Sequence, residues 1–248
     1  MLSVATVTSI PVDAAYSWEN NITVGMGSMT WEYAEQYSGE SSVIMRSVID
    51  SEMGNKDGFI AAWELLKMDT FSRRNLHTSV SRKMDVKIND SSASISLSGV
   101  ECAISSELIG PVSKKGEVSN IYMVCYAFRD PLPEQGGRIW FQGEPGTYVF
   151  ISMPERTEIT SVHGVDNATT GVQGLVPYVE GYFDFTGESV IVFSMNKTVT
   201  SNPQTLESIS LRTDLQDVQS LKPSSPLDKV FPGSTDKLLE RLRRNSKL

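Results

Sequence analysis

Between residues 50 and 64 the chain spaces oxygen-bearing side chains in a way that suits a hard cation. Calcium takes six to eight oxygens, and a short loop supplies them only where alternate residues turn inward and a glycine permits a sharp bend. Asn55, Asp57, Gly58, Ile60 and Glu64 fit the third, fifth, sixth, eighth and twelfth places of the twelve-residue calcium loop. Phe59 would then offer its main-chain carbonyl, Ile60 would pack beneath the loop, and Glu64 would reach back with both carboxylate oxygens. The first place falls on Met53, which has no side-chain oxygen. Asp50 lies three residues earlier; for its carboxylate to take over, the incoming helix must finish sooner and the loop must bulge by about two to three residues. Glu52 is the second candidate for that place. The expected ligand set is therefore Asp50, Asn55, Asp57, Phe59 and Glu64. The competing reading is a plain helix–turn–helix in which Asn-x-Asp-Gly turns through its own side-chain hydrogen bonds.

Other chemistry is thin. His77 and His163 are the two histidines, and neither stands in a metal-ligand spacing such as His-Glu-x-x-His. No Gly-x-Ser-x-Gly elbow and no glycine-rich phosphate loop occurs. The chain reads as a binding or structural protein and not an enzyme. A carboxylate pair on facing strands, as a hydrolase of surface polymers would use, leaves no trace in a single sequence and stays as the alternative. Cys102 and Cys125 stand about two strands apart, either bridged or as two buried thiols.

The elements that must position the loop are two helices. Val43, Ile44, Ser47 and Val48 fall at helical spacing after Ser41 or Ser42 as an N-cap, in a helix ending at Asp50. Residues 59–68 read as a second helix, with Phe59, Ala62, Trp63 and Leu66 along one side. Beyond Arg82 the period becomes two, most cleanly where Ala93, Ile95 and Leu97 alternate with serines. Further strands are expected over 84–88, 121–128, 138–141, 147–152, 158–162, 178–185 and 189–194, separated by turns such as Glu144-Pro145-Gly146. Many short strands of this kind point to a sandwich, with a barrel second. Trp140, Phe141, Tyr148, Tyr178 and Tyr182 are core residues or the lining of a ligand-binding face.

The stretch Arg46-Ser47-Val48-Ile49-Asp50, then Gly54-Asn55-Lys56-Asp57-Gly58-Phe59-Ile60 and Trp63-Glu64, resembles the EF-hand-like segment of archaeal secreted or membrane-anchored surface proteins. The likeness covers roughly residues 38–70 by motif and the remainder by general layout. It implies a lengthened calcium loop ahead of a β-rich ectodomain, at the cell surface or outside the cell, and implies no activity.

Composition sets the outer limits. A net charge of −8 and no extended basic stripe oppose a nucleic-acid partner. No apolar run is long enough to span a bilayer. The fold class expected is mainly β, an antiparallel sandwich preceded by the helix–loop–helix, with a disordered C-terminal tail. Residues 1–37 form an N-terminal arm, whose first fifteen residues also suit the trailing half of a secretory signal; 38–76 form the helical hairpin; 77–196 the sandwich; and 197–248 a linker with a short basic amphipathic tail. Within the tail, 234–248 carries Leu238, Leu239 and Leu242 among arginines, suited to a peripheral membrane contact or to docking on a membrane complex. The sandwich would bind a surface protein or a glycan. Acceptor tripeptides for glycosylation begin at Asn21, Asn89, Asn167 and Asn196 and favour an exterior location. Extracellular calcium sites bind at around 10⁻⁴–10⁻³ M, so the ion would be structural and weak.

Overall fold

The computed structural model describes residues 16–195, a mixed α/β fold in which strand outweighs helix. Residues 1–15 and the expected tail, 197–248, lie outside the described residues. The region expected to be an arm instead opens the fold. Tyr16–Val24 (β1) and Ser28–Tyr37 (β2) make an antiparallel hairpin, turned where Gly25 N–H donates to Ser28 O at 2.8 Å. The inward positions are Trp18, Asn20, Ile22 and Val24 on β1 and Met29, Trp31, Tyr33, Glu35 and Tyr37 on β2, all buried. Asn20 and Glu35 interrupt the apolar alternation, so hydropathy alone hides two strands. Asn20 is satisfied where it lies: Nδ2 donates to Thr147 Oγ1 at 2.9 Å and to Tyr148 O at 2.8 Å, and Oδ1 accepts from Trp31 Nε1 at 3.2 Å. A buried polar group so paired costs little.

The hairpin leads into Gly39–Glu52 (α1), Phe59–Ile60 (β3) and Ala62–Arg82 (α2). α1 begins after Ser38 and runs two residues beyond the expected end at Asp50; Ser42, expected as a cap, donates its hydroxyl to Gly39 O at 2.8 Å. α2 is longer than the sequence suggested. It buries Leu65, Met68, Leu76 and Val80, whereas Trp63 and Leu66, on the side picked out with Phe59 and Ala62, are 43% and 67% exposed.

The remaining strands are Val86–Ile88 (β4), Ile95–Ala103 (β5), Gly110–Pro111 (β6), Val118–Phe128 (β7), Gly137–Gln142 (β8), Tyr148–Ser152 (β9), Thr157–His163 (β10), Val165–Gln173 (β11), Val176–Phe183 (β12) and Glu188–Met195 (β13). Seven strands form one sheet in the order β11-β12-β9-β1-β2-β7-β5, four form another in the order β10-β13-β8-β4, and β3 pairs with β6. The large sheet is not wholly antiparallel as expected, because β1 pairs with β9 in parallel, Glu19 opposite Tyr148.

Both sheets and both helices contribute to one core. Trp31 on β2 meets Phe141 on β8 edge-on at 6.1 Å between centroids, and the Tyr33 and Tyr126 hydroxyls donate to Asp85, just ahead of β4, at 3.4 and 2.7 Å. Leu76 and Val80 of α2 face Trp18, Tyr33 and Tyr122 of the large sheet across a cleft of about 260 Å³. The cysteines are free. Cys102 pairs opposite inward-facing Tyr122 while Cys125 pairs opposite Gly99 on the outer face, so adjacent strands hold the thiols on opposite sides of the sheet. Burial, and then the nearby Asp69 carboxylate, push the Cys102 thiol up to about 12.

Candidate metal centre

Asp50 sits in the last turn of α1, and its Oδ2 accepts the Gly58 main-chain N–H at 3.1 Å. That bond draws the far side of the loop back onto the helix. Oδ1 of the same carboxylate is buried with no hydrogen-bond partner. Glu64 lies in the first turn of α2 and is fully buried. Its Oε2 accepts the Ala61 N–H at 2.7 Å, satisfying one of the donors a helix start leaves open. Its Oε1 is likewise buried without a partner.

Gly54 explains how the two ends fit together. A methyl group on its Cα would collide with Glu64 Oε1 and come within 2.7 Å of the Asp50 carbonyl oxygen, so both oxygens crowd the side that only glycine leaves open. Two buried carboxylate oxygens with no donor are expensive to hold charged, and a divalent cation is one group that would balance them. The observed donor set fits calcium in chemistry, being oxygen throughout.

Asn55 and Asp57 are exposed and bonded within the loop. Asp57 N–H donates to Asn55 Oδ1 at 3.3 Å, Phe59 N–H donates to Asp57 Oδ1 at 2.9 Å, and Asn55 Nδ2 donates to Asp57 Oδ2 at 2.9 Å. These are the self-contained turn bonds of the competing reading. Asp50 and Glu64 add one bond each, from the Gly58 and Ala61 N–H groups, and leave one buried oxygen each without a partner. Gly58 has φ +81°, a conformation glycine adopts without strain. Ile60 is fully buried beneath the loop and pairs with Gly110, as its place in the pattern requires. Phe59 pairs with Pro111 and exposes its ring. Glu52 is exposed, so the buried oxygen at the first place belongs to Asp50. The incoming helix does not finish early, as the expected role of Asp50 required; Asp50 lies inside α1, which runs on to Glu52. Among the described residues no three His, Cys, Asp or Glu side chains converge on one point, and Asp50 and Glu64 are the buried carboxylates of the loop.

Three supporting residues were given no role in the sequence reading, although Arg46 and Gly54 stand within the motif it quoted. Gly54 is the first. Lys67 is the second, its Nζ donating to the Met53 carbonyl at 3.1 Å across the loop. Arg46 is the third: fully buried in α1, it donates to Glu107 O and Lys114 O, each at 2.7 Å, and so tethers the connector that carries β6, the partner of β3. A basic residue between Met45 and Ile49, on the packed side of a helix, is the signal that would have marked it.

Comparison with protein-family models and with curated proteins gives no match to this chain.

Proposed function

We propose that this chain is a calcium-stabilised binding or structural protein that works outside the cytoplasm, an EF-hand-like helix–loop–helix braced on a β-sandwich. The observation that carries the reading is the pair of buried, unpartnered oxygens, Asp50 Oδ1 and Glu64 Oε1, within one loop. Asp50, Asn55, Asp57, Glu64 and the Phe59 carbonyl would hold the ion, which supplies positive charge between buried carboxylates. The chain's own part is orientation. Gly58 N–H fixes the Asp50 carboxylate, Ala61 N–H fixes that of Glu64, and pairing of β3 with β6 ties the loop to the sheets. A site of the extracellular class would bind in the ~10⁻⁴–10⁻³ M range and serve structure, not signalling. Asn21, Asn89 and Asn167, which begin glycosylation acceptors, are all exposed and favour the same location. The partner would be a surface protein or a glycan.

Thermal unfolding in EDTA and in millimolar calcium tests the reading. At a calcium concentration about 100 times the dissociation constant, linkage adds about 2.7 kcal/mol, a rise of roughly 5–10 °C in Tm. Glu64→Gln keeps an acceptor for Ala61 N–H and removes the charge, so its fold persists and its calcium response is lost. An equal response in the variant, or none in the wild type, sinks the calcium centre.

A further inference from the structure

The exposed side of α2 brings basic and apolar side chains together. Positions 63, 67, 70, 74, 77 and 81 recur every three or four residues and therefore lie along one line of the helix. The line opens on Trp63, with Leu66 beside it, both well exposed, and continues through Lys67, Arg74 and His77, also exposed. Lys67 Nζ lies 4.4 Å from the centroid of the Trp63 ring, so cation and aromatic share one patch. The acids of α2 are withdrawn from this side: Glu64 is buried in the loop, and Asp69 is bonded to Arg73 at 3.0 Å. All this occurs in a chain whose net charge is −8. The sequence shows no extended basic stripe, because these cations are scattered along it and only the helix aligns them.

A helix face that sets Lys67 and Arg74 beside an exposed tryptophan and leucine is complementary to a layer that is anionic at its surface and apolar just below. We propose that the outer face of α2 docks on an anionic lipid bilayer. The helix, about 31 Å long at 1.5 Å per residue, lies along the surface. Trp63 and Leu66 enter the headgroup region, and Lys67 and Arg74 meet lipid phosphates. A nucleic acid matches the cations but offers no apolar layer for Trp63 and Leu66. This docking stands independently of the calcium reading.

The test is sedimentation of the full chain with vesicles of phosphatidylcholine alone and of equal parts phosphatidylcholine and phosphatidylserine, in EDTA. Binding is expected to the mixed vesicles and not to the neutral ones. It should weaken about tenfold or more in Trp63→Ser/Leu66→Ser and, separately, in Arg74→Glu, with thermal midpoints unchanged because these side chains are exposed. If one variant fails to fold, the other decides. The proposal is overturned if the wild type ignores the mixed vesicles, if binding survives in the folded variants and so belongs to another segment such as 234–248, or if duplex DNA binds through α2 more tightly than the vesicles at the same salt.

Discussion

Glu35 shows how one side chain sets a pH dependence. It is fully buried on β2 among tyrosines, with the Tyr37 hydroxyl donating to Oε2 at 2.9 Å. Burial raises its pKa from 4.5 to about 7, offset in part by hydrogen bonds from Tyr37, Tyr122 and Tyr16. The unfolded chain therefore releases this proton near pH 4.5 and the folded chain near pH 7. Stability from this group is full below the lower value, falls as pH rises between the two, and levels off above the higher. Glu35→Gln should remove that slope, so urea unfolding of variant and wild type is expected to diverge between pH 4.5 and 7 and to run parallel above it. A gap that stays constant across the range rules the assignment out. At this scale the helix–loop–helix was legible, with Asp50 in the last turn of the first helix and Glu64 in the first turn of the second. What the sequence concealed was which of their oxygens already have partners, because the Gly58 and Ala61 N–H donors are main-chain groups that every residue carries.

Among the elements, α1 and the 104–117 connector depend on Arg46. Its guanidinium replaces water for the carbonyls of Glu107 and Lys114 in a region also held by β3–β6 pairing, by the Ser105 and Gly116 N–H groups on Asn120 and Ser42, and by the short turn Ser106–Leu108. Arg46→Leu leaves those carbonyls without their donor and is expected to cost about 2–4 kcal/mol in denaturant unfolding. It should also speed tryptic cleavage at Lys114 and Lys115. Unchanged cleavage would show that the connector does not rely on the arginine. Most strands over 84–194 were readable because their inward positions are apolar, whereas β1 and β2 fell largely within the expected arm because Asn20 and Glu35 face inward. β11 escaped for another reason: most of its side chains are exposed, and main-chain pairing with β12 holds it in place. The buried side of α2 was misjudged from a window of ten residues. Extended to Val80, the series Leu65, Met68, Leu76 and Val80 outweighs Phe59, Trp63 and Leu66, and the latter become surface.

For the whole molecule, strand order is what side-chain periodicity does not convey, since alternation tells which face is buried and not which strand lies alongside. The parallel contact of β1 with β9 is the clearest case. It also bears on synthesis. At roughly 5–20 residues per second, the ribosome needs roughly 6–25 s after finishing Val24 before it begins Tyr148. Through that interval the newborn hairpin has an open edge on β1, a template for pairing with any other strand nearby. Nascent chains arrested short of residue 148 should leave Tyr16–Val24 open to protease, and complete chains should protect it; early protection would mean another segment covers the edge. The fold thus makes one of its innermost strands well before that strand's second neighbour, so safe production depends on how long that edge goes unclaimed.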